Sequence, residues 1–551
     1  MTIVELSNIR KSFGPNNIIN DVSWQLDLGD KVALVGMNGS GKTTLIKIIA
    51  GIMIPDSGIV RVDNSLRIGY VPQKPIFNTS TTLKEYISNQ ELENLRQKIK
   101  QIEEEISLLK DDETKLLETL DRYNFLQTEF ENCDGYRYEA RLEIILNNMG
   151  FNQADLNKPI TALSGGQKSR AQLAKALLLQ PDLLLLDEPD SHLDIDALEW
   201  LEDLLYNYKG SVIVISHDRY LLENVTNKTI EIEYGNLHQY NGNYAYYTDQ
   251  KQRAMTKQHY DYVNQQLEIT HLKEAIESLR LWSAKSSNPK LGRRVRSMEK
   301  RLEWIEPVDK PRKKPKMQLA FDYQKRSGDM VVESIDLSKK FGDQVLFSNV
   351  SFHVRWGDHV AIVGPNGSGK TTLIKILLGL EEPTNGQVYL GENLMISYFD
   401  QEQQGLNNQG NIYEEFEGTN LTKNETMYLL SKMLFRGDKA FKKINELSGG
   451  ERNRVMLSKL VYTKANLIVM DEPTNHLDIP SIEMLEEALI AFRGTVILVS
   501  HDRHLLSKVS DTVIEINNSE AKVYPGGYDY YLELRQESEP GLKIKIGNNS
   551  L

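Results

Sequence analysis

Cysteine is nearly absent from this chain, which has one, Cys133, among 551 residues. A single cysteine excludes internal disulfide bonds and any zinc site built from several cysteines. The sequence also lacks a run of the ~18 consecutive apolar residues that a membrane helix needs. Its first residues lack the charged and apolar regions of a signal peptide. These absences predict a cytoplasmic protein in a reducing compartment, with no membrane partner.

Positive charge is in deficit over the chain as a whole: 65 Lys and Arg residues stand against 77 Asp and Glu residues, a net charge of −12. Taken as an average, that charge argues against a nucleic-acid partner. The average hides a local excess, because residues 251–316 hold 17 basic and 8 acidic residues, a net charge of +9 that leaves −21 for the rest. A basic segment of this kind is compatible with a nucleic-acid partner.

The chain contains an internal repeat. Residues 36–44, a glycine-rich loop ending in Lys-Thr-Thr, return at 364–372, an offset of 328 residues. The string Asp-Glu-Pro at 187–189 returns at 471–473, an offset of only 284. The first copy therefore carries about 44 additional residues between these two motifs. A length of 551 residues agrees with two or three domains of ~100–200 residues each.

Each of the two non-repeated segments predicts a helical hairpin. In the first, at about 88–135, Leu92, Leu95, Ile99 and Ile102 follow a heptad spacing, and residues 116, 120 and 123 continue a return helix. Residues 91–135 hold 13 acidic and 6 basic residues, which suits either a solvated hairpin with no partner or a basic partner.

The second segment, 248–320, is the basic one. Apolar residues at 263, 267, 276 and 279 predict one helix and those at 291, 295, 298, 302 and 305 predict another. Pro289 separates the two helices. The candidate RNA contacts around the tip are Lys285, Lys290, Arg293, Arg294 and Arg296.

The glycine-rich loops predict phosphate binding. Each follows a short apolar run, 31–35 or 359–363, and precedes a helical pattern, which is the context in which such a loop cradles phosphates with its backbone N–H groups. Lys42 and Lys370 are expected to reach the β- and γ-phosphates, and Thr43 and Thr371 to hold Mg²⁺. The loop candidates are Gly36, Asn38, Gly39, Ser40, Gly41, Lys42, Thr43 and Thr44, and Gly364, Asn366, Gly367, Ser368, Gly369, Lys370, Thr371 and Thr372.

Acidic residues at the ends of two apolar strands complete a candidate hydrolytic site in each copy. Asp187 and Asp471 are expected beside Mg²⁺, and the following Glu188 and Glu472 are the candidate catalytic bases for the attacking water. Four further residues recur at matching offsets: Gln73 and Gln401 as candidate Mg²⁺ and water contacts, His217 and His501 as candidate γ-phosphate contacts.

A third repeated string carries a family resemblance. Leu-Ser-Gly-Gly-Gln at 163–167 and Leu-Ser-Gly-Gly-Glu at 447–451 resemble the signature loop of the ATP-binding-cassette superfamily, over about 480 residues of the chain. The resemblance implies a head-to-tail sandwich, in which each phosphate loop meets the opposite signature loop. The residues this adds are Ser164, Gly165, Gly166, Gln167, Ser448, Gly449, Gly450 and Glu451. Phe13 and Phe341 match the aromatic that stacks on adenine in that family; the alternative is a core residue at a strand end.

Two cassettes on one chain, a basic helical linker and an arm in the first cassette resemble the ABC-F family. The implied fold is α/β: cassette 1 at 1–247 with the arm, the linker at 248–320, cassette 2 at 321–535 and a tail at 536–551. The implied cofactors are ATP at two sites and Mg²⁺. Asp190-Ser191 in the first copy departs from Thr474-Asn475 of the second, which leaves open whether the two sites turn over equally.

The same resemblance implies a monomeric ATPase that binds the ribosome, with its linker at the tRNA-exit site against rRNA and tRNA and its arm toward the L1 stalk. Within that function, a housekeeping translation factor and protection from antibiotics both remain open; the short linker tip favours the former. Two other hypotheses are a transporter ATPase subunit with a separate membrane protein and a DNA-maintenance ATPase. The basic linker argues against the first, and the single cysteine with short helices argues against the second.

Overall fold

A computed structural model gives the fold and describes residues 1–63, 65–73, 81–108, 113–133, 135–285, 289–305, 317–342, 344–400 and 406–538. The chain divides into two compact units. One unit comprises Met1–Asn243 together with Lys316–Leu551, and the other comprises Tyr244–Pro315. Within the described ranges, no helix is long and apolar enough to cross a lipid bilayer.

The strands fall into two matching series. In chain order they are β1 (Thr2–Phe13), β2 (Asn16–Asp27), β3 (Lys31–Val35), β4 (Ser57–Val62), β5 (Ile68–Val71), β6 (Leu183–Asp187), β7 (Ser211–Ile215), β8 (Lys228–Glu233), β9 (Asn236–Tyr240), β10 (Met330–Phe341), β11 (Gln344–Arg355), β12 (His359–Val363), β13 (Asn385–Leu390), β14 (Ile396–Phe399), β15 (Leu467–Asp471), β16 (Thr495–Val499), β17 (Thr512–Asn517) and β18 (Glu520–Pro525).

The helices follow the same duplication, apart from the inserted ones. They are α1 (Lys42–Ile49), α2 (Leu83–Ile87), α3 (Gln90–Leu108), α4 (Glu113–Asn132), α5 (Gly135–Asn148), α6 (Gln153–Leu156), α7 (Gly165–Leu178), α8 (Ile195–Tyr206), α9 (Arg219–Val225), α10 (Tyr244–Lys285), α11 (Pro289–Glu303), α12 (Lys370–Leu377), α13 (Lys423–Lys432), α14 (Gly449–Thr463), α15 (Ile479–Ala491), α16 (Arg503–Val509) and α17 (Tyr528–Ser538). Short 3₁₀ turns occur at Ile160–Ala162, Glu414–Phe416, Gly437–Phe441 and Ile444–Glu446.

Each cassette combines two sheets. A three-stranded antiparallel sheet has the order β2-β1-β4 in the first cassette and β11-β10-β13 in the second. A six-stranded sheet has the order β5-β6-β7-β3-β8-β9, repeated as β14-β15-β16-β12-β17-β18, and is parallel except for its last strand. Its central strands β6, β7, β15 and β16 are buried over their whole length, as expected for a parallel sheet covered on both faces. The predicted α/β fold with tandem cassettes is confirmed.

The arm in the first cassette consists of α3 and α4. Leu92 and Ile99 on α3 pack with Phe130 on α4, and Leu95, Tyr123 and Leu126 join this small core. The predicted seam is therefore found on the first helix. On the second helix Leu120 is exposed and Phe130, which the heptad reading did not include, fills the core instead. Residues 109–112, between the two helices, lie outside the described residues.

The second unit is a hairpin of α10 and α11. Helix α10 begins at Tyr244, four residues before the predicted start of the linker segment at 248, and α11 begins at Pro289. Leu272, Ile276 and Val295 are buried, whereas Val263 and Leu267 of the predicted seam are exposed. Among the residues that the structure describes, two ion pairs join the helices: Arg301–Glu268 at 2.8 Å and Arg280–Glu299 at 2.5 Å. Residues 306–316 of the predicted linker and the tail beyond residue 538 lie outside the described residues.

We expect Phe130→Ala to loosen the arm, because it removes the side chain on which both arm helices pack, at a cost of about 3–5 kcal/mol. Hydrogen exchange of the α3 and α4 amides measures this loss. Phe125→Ala is the matched control, since Phe125 is 69% exposed and should change protection by less than about 0.5 kcal/mol. Equal loss of protection in both variants would show that Phe130 does not anchor the arm.

Candidate functional site

The two glycine-rich loops connect a central strand to a helix. The first lies between β3 and α1, the second between β12 and α12. Gly36 has a φ of 151° and passes so close to β8 that a Cβ there would lie 2.6 Å from the Ile232 carbonyl oxygen. Gly364 repeats this approach against Ile516 at 2.2 Å. Glycine is thus required at both positions, and the loop curls tightly over the N-terminus of the following helix, where an anion is favoured.

A buried lysine lies inside each loop. The Lys42 ammonium donates to the carbonyl oxygens of Gly36 at 2.7 Å and Met37 at 3.1 Å. The Lys370 ammonium makes the corresponding bonds at 2.8 and 2.9 Å in the second loop. Burial lowers the pKa of both lysines, against the opposing charges of the nearby carboxylates. Each ammonium is thereby fixed at the centre of its loop, within reach of a bound phosphate.

The strand-end aspartates lie beside these loops. Asp187 is buried at the end of β6, and its Oδ1 accepts a 3.2 Å hydrogen bond from the Thr43 hydroxyl. Burial raises the pKa of Asp187 to about 6 and also raises that of Asp471. The Oδ2 of Asp187 is buried with no hydrogen-bond partner among the described residues. The candidate Mg²⁺ ligands offer the threonine hydroxyl, the aspartate carboxylate and the glutamine amide oxygen, which are the hard oxygen ligands that Mg²⁺ prefers. These residues therefore fit Mg²⁺, which would give Asp187 Oδ2 a partner.

The structure brings together Gln73, Glu188 and His217 in the first cassette. The Gln73 amide donates to Glu188 Oε2, and His217 Nε2 lies 3.4 Å from Glu188 Oε1. In the second cassette His501 Nε2 lies 3.4 Å from Glu472 Oε1; Gln401 lies outside the described residues. Both glutamates have left-handed backbones, with φ of 54° and 50°, a conformation that costs energy in a non-glycine residue and clusters at functional sites.

The two glutamates differ electrostatically. Burial alone would raise the pKa of Glu188, but its interaction with His217, 3.4 Å away, and the hydrogen bond from the Gln73 amide bring that pKa below its ordinary value. Burial raises the pKa of Glu472 to about 8. Burial, together with the charge of Lys370, lowers the pKa of His501 well below its ordinary range. In this arrangement Glu188 is ionised at neutral pH, and Glu472 holds its proton more tightly.

The departure at Asp190 changes one hydrogen bond. In the first cassette the backbone N–H of His217 donates to Asp190 Oδ2 at 3.3 Å. In the second, Thr474 takes the place of Asp190, and the backbone N–H of His501 donates to Glu472 Oε2, also at 3.3 Å. Burial raises the pKa of Asp190 to about 6. The first cassette therefore holds an additional carboxylate beside its histidine, and its glutamate is free of the backbone bond.

Each phosphate loop touches the opposite cassette through an asparagine. The backbone N–H of Asn38 donates to Asp478 Oδ2 at 3.3 Å, and its side-chain amide donates to the His476 carbonyl at 3.2 Å. Asn366 makes the same two bonds to Asp194 and His192, both at 2.9 Å. The phosphate loop of each cassette is thus held by the segment that follows Glu188 or Glu472 of the other.

The signature loops face these phosphate loops. A cavity of about 600 Å³ has walls from both cassettes, among them Ser164, Gly166, Gln167, Phe341, Lys370 and Glu472. On the other side, a Cβ at Gly450 would lie 3.3 Å from the Asn38 amide. Ser164 and Ser448 cap α7 and α14, and the side-chain oxygens of Gln167 and Glu451 accept hydrogen bonds from the backbone N–H groups of these serines. The last residue of each signature string is thus engaged in shaping its loop.

Phe13 and Phe341 end β1 and β10 with half of each side chain exposed. The alternative that they are core residues is therefore wrong. Phe341 lines the cavity with Lys370, and the Lys339 ammonium lies 4.8 Å from its ring centroid. An exposed aromatic at a cavity edge is suited to stacking on a planar ring.

The candidate RNA contacts lie on the hairpin unit. Arg293, Arg294 and Arg296 are exposed on α11. Lys285 is the last residue of α10 and Lys290 the second of α11. These five residues therefore flank the tip, and their role stays a prediction.

Sequence reasoning missed the aspartates and histidines that receive the asparagines. Asp194 and Asp478 are N-caps of α8 and α15, and each uses its second oxygen to bind the opposite loop. The carbonyls come from His192 and His476, whose backbones are also left-handed. All four residues recur at the 284-residue offset, a signal that was available in the sequence but did not say what they contact.

Comparison with known proteins gives a consistent result. A family model described as ABC transporter matches residues 19–191 and 347–475, and an extension model with the same description matches residues 230–321. The chain is 38% identical over 541 residues to the putative ATP-binding protein YdiF of Bacillus subtilis, covering 98% of this chain and 83% of the relative.

Two further relatives match over nearly the whole chain. ABC transporter F family member 5 of Arabidopsis thaliana is 36% identical, with 96% of this chain and 77% of the relative covered. The energy-dependent translational throttle protein EttA of Escherichia coli K12 is 31% identical, with 95% and 93% covered. The solved structure of an RNase-L inhibitor has a TM-score of 0.61 at 20% identity, with 97% of this chain and 92% of that chain covered, which shows a shared fold.

We expect Gly450→Ala to slow ATP hydrolysis at the first phosphate loop, because its Cβ would lie 2.6 Å from the His476 carbonyl oxygen that holds Asn38. Relieving this close contact would displace the carbonyl and the loop that it binds. We expect that displacement to lower kcat by about tenfold to a hundredfold. Turnover measured in a Glu472→Gln background reports the first site, and turnover in a Glu188→Gln background reports the second. Gly328→Ala is the control, since a Cβ there meets nothing closer than 3.8 Å. A larger loss at the second site would contradict the head-to-tail pairing.

Proposed function

The chain belongs to the F family of ATP-binding-cassette ATPases, and from that membership we propose that it binds the ribosome and modulates translation in an ATP-dependent way. It is an ATPase whose cassettes bind ATP and use Mg²⁺. The proposed part concerns the number of ATP sites, the partner and the place of binding. The observation that carries the proposal is the separation of charge between the basic hairpin and the acidic remainder of the chain.

We infer two ATP sites, one at each phosphate loop. Each loop has its buried lysine, its Thr–Asp pair and its glutamate with a histidine 3.4 Å away. Each is also held by the opposite cassette through Asn38 or Asn366. In these sites Glu188 and Glu472 would orient and activate the attacking water, and His217 and His501 would meet the γ-phosphate. Mg²⁺ would supply charge compensation for the phosphates where Thr43 and Asp187, or Thr371 and Asp471, hold it.

The hairpin is suited to RNA. Its segment carries a net charge of +9, and three arginines of α11 are exposed on it. Among the described residues, Arg280 and Arg301 pair between the hairpin helices and Arg253 pairs with Asp249 within α10, so part of the positive charge already has an internal partner. The exposed arginines would release counterions from RNA phosphates, and the contact would read the shape of the RNA more than its sequence.

An exposed aromatic side chain adds to this argument. Trp282 lies three residues before the end of α10 and is 69% exposed. A tryptophan in that state, in a basic segment, is suited to stacking on an unpaired base. Sequence reasoning did not select Trp282, because helix periodicity gives no signal for a single exposed ring.

The proposed binding place on the ribosome rests on the family resemblance. We propose that the hairpin enters the tRNA-exit site and contacts rRNA and tRNA, and that the acidic arm lies toward the L1 stalk against a basic protein. The name of the relative EttA describes an energy-dependent throttle of translation, which favours modulation of translation over antibiotic protection. Growth of a susceptible bacterium expressing the protein, measured against peptidyl-transferase inhibitors, separates the two: no increase in resistance is the expected result.

We expect the double variant Glu188→Gln, Glu472→Gln to bind ATP and remain on ribosomes, because removing both catalytic bases blocks the hydrolysis that would release it. Sucrose-gradient sedimentation with ATP should move most of the protein into the ribosome fractions. A Lys42→Ala, Lys370→Ala variant is the control and should stay at the top of the gradient. If the double glutamine variant binds ATP but does not sediment with ribosomes, the ribosomal proposal is wrong.

Two hairpin variants should separate phosphate binding from stacking. Changing Arg293, Arg294 and Arg296 to Gln should weaken ribosome binding and reduce its log–log salt slope by about 0.7–0.9 for each phosphate that is no longer neutralised. Trp282→Ala should weaken binding by about 1–3 kcal/mol with the slope unchanged. Affinity measured across a series of salt concentrations gives both quantities. An unchanged slope in the triple variant would remove these arginines from the interface.

A further inference from the structure

Two buried arginines cross from one cassette to the other directly beside the site histidines. Arg219, two residues after His217, has its Nη2 2.8 Å from Oε1 of Glu486 in the second cassette. Arg503, two residues after His501, has its Nη2 2.9 Å from Oε2 of Glu202 in the first cassette. Both arginines and Glu486 are at most 10% exposed in their side chains. The partners are related by the 284-residue repeat, so the two pairs are equivalent contacts.

Each arginine is enclosed by polar and aromatic groups at the boundary. Arg503 also lies 3.2 Å from Asp218, and its guanidinium lies 4.8 Å from the ring centroid of Tyr220. Arg219 Nη1 lies 2.9 Å from His504 Nδ1, which is 3.0 Å from Glu486. The Tyr220 and His504 rings approach edge to face, with centroids 6.5 Å apart. The contact between the two cassettes therefore contains a layer of charged side chains, in which each cassette supplies carboxylates to the arginine of the other.

The arginine is coupled to the histidine through a short, well-bonded turn. Asp218, which lies between them, caps α9 by accepting from the Leu221 N–H at 2.9 Å. Its own N–H donates to the Ser216 hydroxyl at 2.9 Å. The turn in the second cassette has the same two bonds, from Leu505 to Asp502 and from Asp502 to Ser500, both at 3.0 Å. Since the turn is fixed at both ends, a movement of the arginine carries the histidine with it.

We propose that Arg219 and Arg503 are positioning residues for ATP hydrolysis, each placing the histidine of its own site against the catalytic glutamate only while its ion pair to the opposite cassette is formed. A buried guanidinium deprived of its carboxylate is unfavourable and moves toward solvent or another partner. When the cassettes separate, Arg219 loses Glu486, and the turn that holds His217 3.4 Å from Glu188 loses its anchor. The inference concerns the ATPase reaction and is independent of ribosome binding.

A purely adhesive role makes a different prediction. If the ion pairs only held the cassettes together, loss of Arg219 would lower turnover equally at both sites. If Arg219 positions His217, the loss falls on the first site. Arg503 also contacts Asp218 in the turn after His217, so its loss affects the first site as well as the second. The second site is therefore the internal control for Arg219→Gln in the same protein.

The test measures kcat and KM for ATP in the full-length protein, with Glu472→Gln or Glu188→Gln isolating one site. We expect Arg219→Gln to lower kcat of the first site by about tenfold or more, because small displacements of catalytic groups have effects of that size. KM should change by less than about threefold, as expected when an interaction acts in the transition state. Turnover at the second site should fall much less.

A double-mutant cycle tests the pairing. Glu486→Gln should reproduce the loss caused by Arg219→Gln, and the two changes together should lose no more than the worse single change, because they remove one shared interaction. Arg219→Lys keeps the charge without the forked geometry and should give an intermediate loss, and it serves in place of Arg219→Gln if that variant does not fold. If an isolating background has no turnover, the cycle is measured with both glutamates intact.

Four outcomes would overturn the proposal: additive losses in the cycle, equal losses at both sites from Arg219→Gln, an effect on KM alone, or an unchanged kcat in Arg219→Gln. Near-ultraviolet circular dichroism and the midpoint of thermal unfolding show that each variant compared is folded.

Discussion

Each phosphate loop in this protein is completed by the opposite cassette, and this mutual contact is the constraint on which the site depends. Asn38 and Asn366 donate to an aspartate side chain and a histidine carbonyl across the boundary. The accepting aspartates also cap the helices that follow Glu188 and Glu472. A cassette on its own would leave the backbone N–H of its loop and one oxygen of its helix cap unpaired. The phosphate loops of the two halves therefore depend on each other for these hydrogen bonds.

Much of the local chemistry could be predicted from the sequence, because it depends on residues close together in the chain. The loop at Gly36–Thr44 needs a strand before it and a helix after it, and both are visible in the apolar pattern. The offset between the two copies also located the arm and the hairpin. Segment boundaries were less exact: the linker was predicted to begin at residue 248, whereas its first helix, α10, begins at Tyr244.

Contacts between distant residues could not be predicted in the same way. Arg219 and Glu486 are 267 residues apart, and no periodic pattern connects them. In the arm, heptad spacing selected Leu120, but the second helix turns Phe130 into the core, where its ring meets Leu92 and Ile99. In the hairpin, Val263 and Leu267 follow the correct spacing yet are exposed. Spacing identifies a possible apolar face, but what covers that face depends on tertiary structure.

The length of α10 has a mechanical consequence. Its 42 residues form a rod of about 63 Å at ~1.5 Å per residue. A rotation of about 5° at one end of such a rod displaces the other end by roughly 5 Å, about the pitch of one helical turn. The hairpin therefore has the proportions of a lever, in which a small angular change at Tyr244 is amplified at Lys285.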